Sequence, residues 1–358
     1  MLFQNLAEGL VRAGHSCDVV TCMLPSSLKE ETINGVRIHR VWVPRRGARH
    51  WFTFLGFFKA MTYSRDADVV QTTVYNGAPP AWLVAKILRK PSSLFVFEVI
   101  GDNWRRIGLS LLMARFYGFL EMIVLKLPFD AYVCISKSTL KAAEQRGVAR
   151  SKLKLSYPGI DYKLFDPSKN RREEVRKALG LQEDAFVYMF FGRPGYVKGV
   201  EHLVRAVAFI RERVPGSKLL LILSKEPAEG YAKVMTLIKE SGFFKDVIVI
   251  DPVAREELPY YISASDCVVV PSISEGFGFT CAEACAMGVP VVATTAGSLP
   301  EVASGKYVMV EPGSPEAIAR GVEKVYKKEY TVSDKKIFSR DDFVRKHIEL
   351  YDTLRGKG

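Results

Sequence analysis

Histidine is scarce in this chain, five among 358 residues, and the six cysteines (Cys17, Cys22, Cys134, Cys267, Cys281, Cys285) are scattered. Cys281 and Cys285 stand four apart in one helical pattern. No histidine or second cysteine pair lies nearby in sequence to complete a zinc site, so buried thiols in a reducing compartment are the expectation. There is no internal repeat, no low-complexity tract, no secretory signal and no recognised nucleic-acid module. The apolar regions 51–58 and 109–127 are too short or too interrupted by charge to span a bilayer.

What is present suits a large α/β protein. Apolar residues make up 48% of the chain, and strand-like runs alternate with helical ones, as in doubly wound parallel sheets. At this length one core is too few, and two domains are expected. The net charge of +12 is unevenly placed: residues 1–158 hold 22 Lys and Arg against 11 Asp and Glu, while the remainder is almost neutral. In the basic half, Arg45, Arg46 and Arg49 precede the aromatic run from Trp51 to Phe58, and Arg105 and Arg106 precede Leu109 to Leu127. Basic residues beside Trp, Phe and Leu suit a helix lying on an anionic membrane surface. They equally suit a core whose basic residues form a solvated face.

Two segments carry chemistry. In 266–294, a short β-branched run (Cys267 to Val270) ends at Pro271. A small, glycine-containing loop follows, then helix formers from Thr280 to Met287, the stop at Gly288 and a second strand from Val289 to Thr294. The loop meets a helix N-terminus, where free N–H groups and the macrodipole favour anions. Glu275 sits in the loop and Glu283 about one turn inside the helix, so amides can take a phosphate while carboxylates take hydroxyls. In 187–199, a strand again runs into glycines and a helical pattern. Arg193 and Lys198 flank that turn, a forked and a point cation suited to clamping a diphosphate.

The first segment resembles the E-x7-E motif of retaining, nucleotide-sugar-dependent glycosyltransferases of family 4, which have the GT-B fold. In the second, Gly192, Arg193, Lys198 and Gly199 match the family's G-R-x4-K-G pattern. The resemblance implies that Glu275 contacts donor-sugar hydroxyls and that Glu283 contacts the nucleotide ribose. It also implies that the amides of Phe277, Gly278, Phe279 and Thr280 face sugar and phosphate, and that Gly192, Arg193 and Lys198 hold the diphosphate. Smaller matches are Asp130 to Ser136, Pro158-Gly159-Ile160-Asp161 with Phe165, Glu256 to Asp266, and Gly297 to Glu301.

The implied architecture is GT-B: two Rossmann-like doubly wound parallel-sheet domains facing a cleft. The expected parts are an acceptor-binding domain over 1–158, a nucleotide-sugar-binding domain over 159–335 and a C-terminal helix over 336–358 that returns to the first domain. Two departures stand out. The family's first strand and glycine-containing loop have no counterpart before the helix at 3–13, which implies either a start internal to a longer chain or neighbouring strands closing the gap. Ile100 occupies the position of a family histidine, and Asp102 either takes a polar role beside the donor sugar or caps the following helix.

The activity implied is a retaining hexosyl transfer from a nucleoside-diphosphate sugar to a glycan, lipid or lipid-linked acceptor. No cofactor and no metal are expected, and no Asp-x-Asp motif is placed to hold one. Nucleic acid is not expected as a partner, and the location implied is cytoplasmic, peripheral to the membrane face. A non-catalytic partner of another transferase, a phosphorylase of the same fold and a sugar-nucleotide epimerase are the alternatives. Donor binding without turnover, phosphate-dependent cleavage or donor conversion without acceptor would distinguish them.

Overall fold

The computed structural model describes residues 2–44, 46–105 and 109–356, without the side chains of Arg49 and Asp102. The chain forms two compact units. One comprises Met1–Arg105, Leu109–Gly159 and Phe338–Gly358, and the other Arg106–Gly108 and Ile160–Ile337.

The first unit starts with α1 (Leu2–Arg12), β1 (Asp18–Cys22), β2 (Glu30–Ile33), β3 (Val36–Val41), α2 (Ala48–Tyr63), β4 (Val70–Thr73) and α3 (Ala78–Leu88). It continues through β5 (Ser92–Val96), α4 (Leu111–Lys126), β6 (Ala131–Cys134), α5 (Lys137–Gln145) and β7 (Leu153–Leu155). Its strands fall into two sheets, β1-β3-β2 and β4-β5-β6-β7. Neighbouring strands therefore do not close the gap anticipated from the sequence: β1 pairs only with β3, and β4 only with β5, among the described residues. The pairing of β2 with β3 is antiparallel, a departure from the all-parallel expectation. Its cause is the two-residue turn Asn34-Gly35, with φ of 50° and 82°, the left-handed pair that a tight hairpin needs.

Buried Leu94, Val96, Phe129, Tyr132 and Cys134 form the centre of this unit's core. The closing helix also belongs here. Its Phe343 and His347 rings lie against Phe95, and Tyr351 donates to Gln71 Oε1 at 2.9 Å.

The second unit holds α6 (Arg172–Ala178), β8 (Val187–Gly192), α7 (Val200–Arg213), β9 (Lys218–Leu223), α8 (Ala228–Glu240), β10 (Val247–Ile250) and α9 (Leu258–Ala264). Then come β11 (Cys267–Val270), α10 (Phe279–Ala286), β12 (Val291–Thr294), α11 (Leu299–Val302), β13 (Lys306–Val310), α12 (Pro315–Tyr326) and β14 (Thr331–Val332), with α13 (Arg340–Arg355) returning to the first unit. The strands form one sheet in the order β10-β9-β8-β11-β12-β13-β14, parallel except for β14 at its edge. Val, Leu and Ile dominate the central strands because helices cover both faces and leave no polar side. From β8 the chain builds outward through β9 and β10, then returns to β11 on the other side. The order therefore reverses between β8 and β11, the position where parallel sheets open a crevice at their carboxyl ends.

Candidate active site

Both chemistry-bearing segments arrive at this switch point. The loop after β8 and the loop after β11 are fastened to one another by Ile273 N–H, which donates to Val197 O at 2.8 Å, and Thr280 Oγ1 on α10 donates to Phe191 O on β8 at 3.5 Å. The approach is close enough to require glycine. Gly199 has φ of 68°, and a Cβ there would lie 1.9 Å from Pro271 O. Gly297, from the loop after β12, has φ of 54°, and its Cβ would lie 2.1 Å from the carbonyl oxygen of Glu275. Ser298 completes the hold on Glu275, donating to that carbonyl from N–H at 3.1 Å and from Oγ at 3.2 Å.

Glu275 and Lys198, from separate segments, meet here. Lys198 Nζ donates to Glu275 Oε2 at 2.8 Å, and Ser272 Oγ reaches the same oxygen at 3.1 Å. Arg193, in the same loop as Lys198, is exposed and makes no ion pair among the described residues. Gly192, with φ of 151°, turns the chain out of β8.

Gly278, with φ of 91° and no side chain to offer, precedes α10, so no side chain caps the helix. The N–H groups of Phe279, Thr280 and Cys281 have no acceptor within the helix and give this end its partial positive charge. Phe279 and Thr280 are half-buried at this corner, whereas Phe277 is buried and stacks edge-to-face on Phe279 with centroids 5.1 Å apart. Phe277 is thus a core side chain.

Glu283, expected from the resemblance to contact the nucleotide ribose, sits on the first turns of α10. It is only 3% exposed, and Arg255 Nη2 donates to its Oε1 at 2.7 Å. Burial pushes its carboxyl above the ordinary value, with Arg255 pulling the other way. Arg255 itself lies over the Phe165 ring at 5.0 Å. Sequence reasoning missed Arg255, which precedes α9 in a turn that carries no local sign of the contact.

Asp102 belongs to the first unit, within the 3-10 turn Gly101–Arg105, and its side chain lies outside the described residues. The N-cap of α4 is Ser110, its Oγ accepting from Met113 N–H at 3.3 Å. The turn is held by Glu121 on α4, a residue that in sequence merely interrupts an apolar face. Buried Glu121 accepts from Ile100 and Gly101 N–H, both at 2.8 Å, from Tyr75 OH at 2.9 Å and from Trp104 Nε1 at 3.3 Å. Among the described residues no three His, Cys, Asp or Glu side chains gather to hold a metal ion. No described helix is long and apolar enough to cross a membrane.

Comparison with known proteins identifies the family. The model for a glycosyl transferase 4-like domain matches residues 2–159, and that for glycosyl transferases group 1 matches residues 171–340. An uncharacterised glycosyltransferase of Methanocaldococcus jannaschii is 28% identical, with 97% of this chain and 92% of that protein aligned. A D-inositol 3-phosphate glycosyltransferase of Corynebacterium diphtheriae is 37% identical over 47% of this chain and 41% of its own. The alignment thus spans less than half of that relative.

Among solved structures, sucrose-phosphate synthase of Thermosynechococcus elongatus superposes with a TM-score of 0.76 at 21% identity, over 99% of this chain and 93% of that one. HepE of Anabaena, solved with UDP-glucose, gives 0.68 at 17% identity over 89% and 87%. With the two family models running through nearly all of the sequence and the GT-B fold in common with these structures, the chain belongs to the group 1 and 4-like glycosyltransferases.

Proposed function

We propose that this glycosyltransferase moves a hexosyl unit from a nucleoside-diphosphate sugar to a hydroxyl of a glycan, lipid or lipid-linked acceptor, with retention at the anomeric carbon. The observation that carries this reading is the meeting of Lys198, Glu275 and the uncapped start of α10 at the sheet's switch point. A diphosphate laid there meets an ammonium, the exposed guanidinium of Arg193 and helix amides, while Glu275 takes sugar hydroxyls. Binding exchanges the Lys198–Glu275 pair for charge on phosphate and hydrogen bonds to sugar. Cations and amides already in place then stabilise the charge that develops on the departing diphosphate. A single such donor is worth about 10²–10³ in rate. The acceptor hydroxyl attacks from the face the nucleotide leaves, which gives retention.

A membrane-facing acceptor draws support from the first unit. On α2, Trp51, Phe54 and Phe58 are exposed at helical spacing, Phe54 by 67%. On α4, Leu112, Phe116, Phe119 and Ile123 form a second exposed stripe, Leu112 by 79%. Exposed Arg46, Arg115 and Lys126 belong to the same basic half. Apolar stripes with nearby cations suit insertion into the headgroup region of an anionic leaflet. Co-sedimentation with phosphatidylglycerol vesicles at low salt tests this, and equal failure to bind anionic and neutral vesicles removes it. The divided sheet of the first unit favours one other reading, a non-catalytic partner that binds donor without turning it over.

The experiment for the donor is a thermal-shift panel of UDP-, GDP- and ADP-sugars, since a ligand of the native state raises the melting temperature by mass action. Because HepE was solved with UDP-glucose, that sugar nucleotide is the first to try. A shift with one nucleotide series, reduced in Arg193→Ala and Glu275→Ala, supports the reading. No shift with any donor overturns it.

A further inference from the structure

The first unit holds a buried carboxylate that the chemistry proposed above does not use. Glu121, on α4, is 2% exposed and accepts two hydrogen bonds on each oxygen. Ile100 N–H and Tyr75 OH share Oε1, at 2.8 and 2.9 Å. Gly101 N–H and Trp104 Nε1 share Oε2, at 2.8 and 3.3 Å. All four donors are neutral groups. A carboxylate loses its hydration on burial, and here hydrogen bonds to neutral donors offset that loss. Where an apolar side chain would fill the same space, a fully satisfied polar network is explained by the one geometry it imposes.

That geometry joins two loops. Tyr75 follows β4, while Ile100, Gly101 and Trp104 follow β5, and the two strands are adjacent and parallel. One side chain therefore ties the segments at the carboxyl ends of both strands, the end at which open parallel sheets bind ligands. Tyr75 has φ of 74°, a region that bulky side chains seldom enter, and such outliers gather at ligand sites. Burial, and then the Glu121 charge beside it, pushes the Tyr75 phenol far above its ordinary range, so it stays a donor. Thr53 on α2 fastens the next residue, its Oγ1 donating to Asn76 O at 3.0 Å. The turn Gly101–Arg105 carries half-buried Asn103 and Trp104 and exposed Arg105. A carboxamide and a guanidinium are partners for hydroxyls. Trp104 adds an apolar plane, stacked on Tyr117 of α4 with centroids 5.3 Å apart.

We infer that Glu121 is a positioning residue: by tying the loops after β4 and β5 it holds Gly101–Arg105 in the shape that binds hydroxyls of a sugar-bearing acceptor. Glu121 itself stays buried and touches no substrate. Its effect on turnover rests on the transferase reading above, whereas sugar binding at the turn does not. Glutamine has the same shape but cannot do the same work. It keeps one accepting oxygen and turns an NH2 group toward donors that need an acceptor. Of the four donors only the Tyr75 hydroxyl can reverse, so Glu121→Gln releases part of the turn while conserving volume.

The test compares wild type, Glu121→Gln, Tyr75→Phe and Asp130→Asn in the full chain. Asp130 is the structural control, accepting from Ser92 N–H at 2.8 Å and Ser92 Oγ at 3.0 Å at the opposite, amino end of β5. The acceptor probes are octyl β-glucoside and octyl α-mannoside below their micelle concentrations. The donor is the sugar nucleotide that gives the largest thermal shift. Amide exchange read by mass spectrometry should show residues 97–105 protected by an octyl glycoside in wild type. The same segment should exchange faster in Glu121→Gln, with or without glycoside. Transfer by Glu121→Gln should fall about 10²-fold, the order that a misplacement of about 1 Å costs, while donor-induced stabilisation stays at the wild-type level. Tyr75→Phe should lose less, and Asp130→Asn should melt lower with unchanged kcat and acceptor KM. A Glu121→Gln protein that melts lower yet keeps wild-type kcat and acceptor KM overturns the positioning role. Donor binding lost in step with transfer overturns it as well. Absence of protection at 97–105 by either glycoside in wild type overturns the acceptor site. Protection there in a protein that binds no donor supports the sugar site and overturns the transferase reading instead.

Discussion

Lys198 Nζ sits 2.8 Å from Glu275 Oε2, joining two residues 77 positions apart at the carboxyl ends of β8 and β11. Lys198 is 35% exposed, so the pair contributes at most about 1 kcal/mol to folding. Its value lies in keeping a cation and a carboxylate together until a ligand needs both. Lys198→Ala should therefore leave the melting temperature within a few degrees of wild type while cutting transfer about 10²–10³-fold. Glu275→Gln should likewise fold normally and lose sugar-dependent stabilisation while retaining stabilisation by the bare nucleoside diphosphate. Parallel melting curves and turnover assays check both variants. A loss of stability as large as the loss of rate would make the pair structural.

The two glycines that let the loops approach predict the opposite pattern. Gly199→Ala and Gly297→Ala each combine a positive φ with a Cβ about 2 Å from a backbone oxygen. Positive φ alone costs an alanine more than about 1 kcal/mol, and backbone cannot yield as a flexible side chain would. Both variants should lose several degrees of melting temperature together with donor binding. Gly216→Ala, with φ of 74° but open space around its Cβ, is the control that isolates the cost of φ. Thermal melts of the three should place Gly216→Ala closest to wild type.

Much of this corner is legible in the sequence because its signals are local. β-branched runs, Pro271, Gly278 and Gly288 mark where β11 ends and where α10 starts and stops. The family pattern then singles out Glu275 and Lys198, which the fold brings into contact. What the sequence hides is tertiary. Arg255 reads as one more loop cation, and only packing on Phe165 and pairing with Glu283 reveal it. Glu121 reads as a polar break in an apolar helix, yet it is buried and gathers four donors around the turn that holds Asp102. The hairpin at Asn34-Gly35 did have a local signal, and it explains the antiparallel strand that a purely parallel reading overlooks.

Arg255 also gives Glu283 a pH dependence of known sign. Burial raises the Glu283 carboxyl above its ordinary value in the fold, and the guanidinium opposes that rise. A carboxyl raised by folding binds protons more readily when native, so it favours the native state at low pH. That contribution is lost as pH climbs through the folded value. Arg255→Ala removes the opposing charge and strands a buried carboxylate, at a cost of about 3 kcal/mol near neutrality. The deficit should shrink as pH is lowered and Glu283 takes up a proton. Urea denaturation of variant and wild type at pH 7.5 and pH 5 reads this directly. A deficit independent of pH would assign Arg255 a packing role on Phe165 alone.

His347 carries the opposite dependence in the first unit. Its ring is buried between Phe95, Phe343 and Tyr351, its Nδ1 lies 2.7 Å from Phe343 O, and its Nε2 has no partner among the described residues. Burial pushes its pKa from 6.5 down to about 4. The unfolded chain therefore takes up the proton first as pH falls, and stability drains away between about pH 6.5 and pH 4. Converted at about 1.4 kcal/mol per pH unit, the full loss is roughly 3 kcal/mol. His347→Phe removes the titration while keeping an aromatic ring in place. Its stability difference from wild type should shift in the variant's favour by that amount between pH 7 and pH 4, measured by urea denaturation at intervals across the range. Parallel pH profiles for the two proteins would mean that His347 stays neutral in both states or charges in both.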